Sequence, residues 1–128
     1  MILIGIFSCS GSSSKTEYVN LPDYVELKVG QNTTKEELRG IANNLKNRGI
    51  HLKYTNTTYA FFGGIKRVDL EITTDDGYYA HIIGDFSRFN EYYGFYRDYR
   101  EKARTPFYYG KMSVLTLNDC ISCFTHFC

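Results

Sequence analysis

From Tyr24 to Val29, apolar and polar residues alternate, the period-two pattern of a half-buried strand, and Pro22 stands just ahead of it where no ladder bond is needed. Gly30 ends the pattern. The period then changes. Leu38, Ile41, Ala42 and Leu45 recur at i, i+3, i+4 and i+7, which predicts a helix with one apolar stripe. Its start is marked by two overlapping capping boxes, Thr33 with Glu36 or Thr34 with Glu37, in which side chains satisfy the orphan amides of the first turn. Lys46 and Arg48 suit the negative end of the helix dipole, and Gly49 can take the left-handed conformation that closes a helix.

Alternation returns at Ile50, Leu52 and Tyr54 and can continue through Tyr59 to Phe62. Gly63-Gly64 has the freedom of a hairpin turn. Val68, Leu70 and Ile72 then oppose Arg67, Asp69, Glu71 and Thr73, a strand with one solvated face. Asp75-Asp76-Gly77 reads as a turn and Tyr78 to Ile83 as a further strand. The expected fold is α+β, with one helix packed on a small antiparallel sheet in the order β-α-β-β-β and an aromatic-rich C-terminal half. Past Gly84 the pattern fades: Asp85 to Tyr99 reads as a short helix or aromatic loop, Arg97 to Arg104 as a solvated charged run, and Ser113 to Leu117 as a last strand.

Length and charge narrow the function classes. A chain of 128 residues with 43% hydrophobic content buries one core. The balance of 15 basic and 14 acidic side chains, a formal +1, gives no general electrostatic drive toward nucleic acid. Twelve Tyr and nine Phe with no Trp can pack a core or form a stacking surface.

The first residues change the picture more. Met1 to Phe7 is apolar but far too short to span about 30 Å of hydrocarbon. Ile6-Phe7-Ser8-Cys9 resembles a bacterial lipobox, whose cysteine is acylated and becomes the mature N-terminus; no basic residue precedes it, so a translation start further upstream is expected. Ser10 to Ser14 reads as the start of a tether. The expected organisation is a signal and lipobox segment at 1–9, a flexible tether at 10–22, a single domain at 23–118 and a Cys-rich tail at 119–128. The competing reading of the first residues is an N-terminus that adds an edge strand to the domain.

Between Asn32 and Ile83 the chain also resembles a known region. Thr34 to Leu38 carries a T-x-E-E-L helix start, Gly49-Ile50 a step into a strand, and Asp75 to Gly77 a hairpin turn. Together they resemble the C-terminal extracytoplasmic region of Gram-negative membrane metallopeptidases related to the beta-lactam sensors. The resemblance implies an exported β-α-β-β domain. The His-Glu-x-x-His zinc motif of those enzymes is absent, His51, His81 and His126 each standing alone, so no active site carries over.

Two constellations bear on chemistry. Cys120, Cys123, His126 and Cys128 are soft ligands whose identities suit zinc, although in an oxidising compartment the same cysteines form disulfides; a redox Cys-x-x-Cys is a further reading. Tyr92, Tyr93, Tyr96 and Tyr99, with Arg88, Arg97, Arg100, Lys102 and Arg104 around them, could stack a glycan or pack as core. Asp75-Asp76 lacks the further spaced oxygens of a calcium site. Neither a phosphate loop nor a nucleophile with its base is recognisable. The expectation is a non-enzymatic, extracytoplasmic domain in the periplasm or on the outer membrane, held by a lipid on Cys9 and binding a protein or envelope component.

Overall fold

The helix opens as its sequence predicts, and of the two possible capping boxes the second forms. The backbone N–H of Glu37 donates to the Thr34 hydroxyl at 3.1 Å, and the N–H of Thr34 donates to the Glu37 carboxylate at 2.9 Å. Thr33 is used otherwise. It is fully buried, and its hydroxyl accepts the Gly30 N–H at 2.9 Å, closing the turn that joins strand to helix.

A computed structural model describes residues 15–61, 63–86 and 91–112. Among them run β1 (Glu17–Leu21), β2 (Tyr24–Val29), α1 (Lys35–Lys46), β3 (Ile50–Lys53), β4 (Thr58–Tyr59), β5 (Ile65–Thr74), β6 (Tyr79–Asp85), β7 (Tyr92–Asp98) and β8 (Phe107–Met112). The class is α+β and every strand pairing is antiparallel, but the strands form two sheets rather than one. Sheet A has the order β1-β2-β7-β8. In sheet B, β5 is central: β6 lies along one edge, while β3 and then β4 occupy successive stretches of the other.

The core follows from the alternation. Val25, Leu27 and Val29 of β2 and Phe95 of β7 form the inner face of sheet A; Val68, Leu70 and Ile72 of β5, with Ile50, Ala80 and Ile82, form that of sheet B. Leu38, Ala42 and Leu45 of α1 complete the cluster, with Ile41 at its margin. Gly94 allows β2 and β7 to close: a Cβ there would lie 1.8 Å from the Leu27 carbonyl oxygen. Gly49, at φ +73°, turns the chain from α1 into β3.

Several expectations are corrected. The expected tether reaches only to the edge of the fold, because Glu17 to Leu21 pairs with Lys28 to Tyr24 as β1. The run from Ile50 to Phe62 is broken after Lys53 and resumes only at Thr58, where a register shift opposite Lys66 marks a bulge. The helix or loop expected over Asp85 to Tyr99 is, from Tyr92 to Asp98, an interior strand paired on both sides. Arg97 and Asp98, read as solvated, are nearly buried. Cys9, Ser113 to Leu117 and the tail with Cys120, Cys123, His126 and Cys128 lie outside the described residues.

Candidate functional site

Strand alternation turns Tyr24, Glu26 and Lys28 of β2 away from the core, and the register brings Tyr96 of β7 and Tyr108 of β8 beside them. The ring centroids of Tyr24 and Tyr96 are 5.6 Å apart, and those of Tyr96 and Tyr108 are 5.7 Å apart. An aromatic row therefore crosses three strands on the outer face of sheet A. Tyr24 and Tyr96 are half-buried, whereas Tyr108 is 40% exposed and Leu21, at the same face, 38%.

Charge accompanies the row. The Arg100 guanidinium lies 5.8 Å from the Tyr24 centroid, and Arg100 also grips the Asp98 carboxylate at 2.8 and 2.7 Å. Those hydrogen bonds from Arg100 hold the Asp98 carboxyl down at about 2. On the other side of Tyr24, Glu26 accepts its hydroxyl at 3.2 Å, and Lys28 Nζ lies 3.7 Å from both Glu26 and Glu17. Burial pushes the Glu26 carboxyl up against the pull of Lys28, and burial with the Glu26 charge pushes the Tyr24 hydroxyl up. Among the described residues two carboxylates face this ammonium, and burial favours a proton on Glu26 more than in water.

The four tyrosines expected to stack a ligand do not share a surface. Tyr92 is 5% exposed, and the Tyr93 ring packs edge-on against Phe86 and fills the space beside Gly84. The rings of Tyr99 and Tyr78 both take the guanidinium of Arg97, while Arg48 also lies over Tyr99. Only Tyr96 joins the outer row. Its neighbours Tyr24 and Tyr108 were missed, although a tyrosine on the polar side of an alternating strand is a legible sign.

On sheet B the outer face mixes charged residues with exposed Tyr79 and Ile83 of β6. His51 Nε2 lies 2.9 Å from Asp75 and His81 Nε2 lies 2.8 Å from Asp69. Each histidine has one carboxylate partner, and no trio of His, Cys, Asp or Glu among the described residues is placed to hold a metal. No helix among these residues is long and apolar enough to cross a membrane.

No family model, curated protein or solved structure matches the chain.

Proposed function

We propose that this chain is a non-enzymatic, extracytoplasmic binding domain, held to a membrane by a lipid on Cys9 and engaging a protein or envelope component through the outer face of sheet A. The row Tyr24, Tyr96 and Tyr108 carries this reading, because three rings on rigid strands give contact area at little entropic cost. Arg100 and Glu26 flank the row with opposite charges and would fix the orientation of a polar partner. The lipobox-like Ile6 to Cys9 and the likeness of residues 32–83 to an exported region support the location.

A photocrosslinking residue at position 108, in cells of a Gram-negative host, tests the surface. An adduct at 108 that is missing at position 53 on sheet B is expected; adducts at 53 and none at 108 would move the binding face. Intact mass of the same protein tests the anchor, which predicts cleavage before Cys9 and a diacylglycerol-sized gain. An unmodified Met1 overturns it.

A further inference from the structure

Strand β6 pairs with β5 on one side only, and its hydrogen-bonding parity shows what the other side offers. The Thr74 N–H donates to the Tyr78 carbonyl at 2.9 Å, so in the alternating antiparallel ladder Ala80, Ile82 and Gly84 turn their backbone groups to β5. Those of Tyr79, His81, Ile83 and Asp85 turn the opposite way. The Asp85 carbonyl accordingly accepts the Tyr93 hydroxyl at 3.0 Å, which closes the edge at that end. Tyr79, His81 and Ile83 are left with open N–H and C=O groups among the described residues, and the same three carry the exposed side chains, Tyr79 at 59% and Ile83 at 48%.

The other edges among the described residues are guarded against pairing. Beside β1 lies α1, whose Asn44 accepts the Asn20 amide at 2.7 Å and whose neighbour Arg48 donates to the Leu21 carbonyl at 2.8 Å. Between β3 and β4 the edge carries Lys53 and a bulge. In β8, Gly110 stands at φ +125° and the Tyr108 hydroxyl donates to the Lys111 carbonyl at 3.0 Å. From Tyr79 to Ile83 there is no lysine, proline, glycine or bulge, the devices that keep an edge from pairing.

We infer that the β6 edge pairs antiparallel with the β6 edge of a second copy of this chain, about a two-fold axis at His81. The open residues are symmetric about His81, so this register sets Tyr79 against Ile83 of the second copy twice, and each of the three pairs exchanges two backbone bonds. Asp69 stands beside Ile83 in the same row, two strand spacings or about 10 Å from the second copy's Tyr79, within reach of its phenol as an acceptor. In the middle row the two imidazoles lie between the Glu71 carboxylates of both copies, and each His81 Nε2 is already 2.8 Å from its own Asp69, so the charges at the join are complementary. The pairing extends sheet B and makes no use of the tyrosine row on sheet A. Three residues per copy bury less than the roughly 1,200 Å² of a standard interface, so a weak dimer is expected, with a dissociation constant of about 100 μM.

Sedimentation equilibrium of the full chain tests this, with Cys9→Ser to keep it free of lipid and a reductant to exclude cysteine-linked association. Between about 10 and about 500 μM the average mass should rise from monomer toward dimer. Ile83→Lys sets an ammonium against the second copy's tyrosine and should weaken association about tenfold or more. His81→Pro removes an N–H that points away from β5, and should do the same with the far-UV circular dichroism unchanged. Tyr109→Lys, an exposed tyrosine on the β8 edge, should leave association as in the parent. With rising concentration the amide signals of Tyr79, His81 and Ile83 should move while those of Ala80 and Ile82 stay. A parent that remains monomeric at about 500 μM, association that survives Ile83→Lys, or an equal loss in Tyr109→Lys overturns the inference.

Discussion

The guanidinium of Arg97 lies 4.4 Å from the ring centroid of Tyr99 and 4.9 Å from that of Tyr78. It also donates to the Pro106 carbonyl at 3.2 Å and to the Asp76 carboxylate. Arg97 stands on β7, whereas Asp76 and Tyr78 belong to the β5–β6 turn, so one side chain ties the two sheets together at one end of the fold. Arg48 does the same for α1, donating to the Leu21 and Pro22 carbonyls of the β1–β2 turn at 2.8 and 3.0 Å.

Replacing Arg97 by Ala should lower stability by about 2 kcal/mol, because ring contacts and hydrogen bonds are lost together. Arg97→Lys should recover less than half, since an ammonium lacks the planar fork. Urea unfolding of the two variants against the parent gives the comparison.

Glycines at two positions should respond in opposite directions. Gly94→Ala meets the Leu27 backbone and should cost about 3 kcal/mol or prevent folding. Gly40, in α1, has nothing within 4 Å of a Cβ, so Gly40→Ala should raise stability by about 0.5–1 kcal/mol. Thermal melts of both variants decide the point; a loss at Gly94→Ala well under about 1 kcal/mol would mean that β2 and β7 can spread.

The Tyr59 hydroxyl is buried with no hydrogen-bond partner among the described residues, and burial pushes it up from the ordinary tyrosine value. Tyr59→Phe removes an unsatisfied polar group and keeps the ring. Stability should hold or rise by up to about 1 kcal/mol. A clear loss in urea unfolding would reveal a hydrogen bond formed in solution.

Two carboxylates should give stability profiles of opposite sign. Burial raises Glu26 in the folded state, so its ionised form is disfavoured there and stability is lost as pH rises through its folded value. Glu26→Gln should therefore be the more stable protein at pH 7, with the difference closing below about pH 4. Asp76 is lowered by a hydrogen bond from Thr74 and by Arg97, so its contribution is present above about pH 4 and is lost on acidification. Asp76→Asn should be less stable at pH 7 and converge with the parent toward pH 2, as read by urea midpoints across the range.

What the sequence made legible, it did through local signals. β2 and β5 each pair a clean apolar face with a polar one, and α1 carries its start in Thr34 and Glu37 and its stop in Gly49. β7 defeats that logic. Tyr93 and Phe95 point inward while Tyr92 and Tyr96 point outward, so aromatic residues on both faces erase the period of two. Arg97 was obscured because no local pattern announces two rings brought from residues 78 and 99. β1 offers only five residues beside a serine-rich stretch, and its pairing with β2 is set by register across a turn. The outer tyrosine row is likewise a product of register: Tyr24, Tyr96 and Tyr108 meet only when three strands align.

The described fold begins and ends at one pole, with β1 and β8 as the two edges of sheet A, three strand spacings or about 14 Å apart. A short glycine-rich link could close that gap. The domain is thus suited to circular permutation at the Pro22-Asp23 turn, and it could be set as a cassette into a surface loop of another protein, its tyrosine face intact and its arginine-locked pole pointing away from the host.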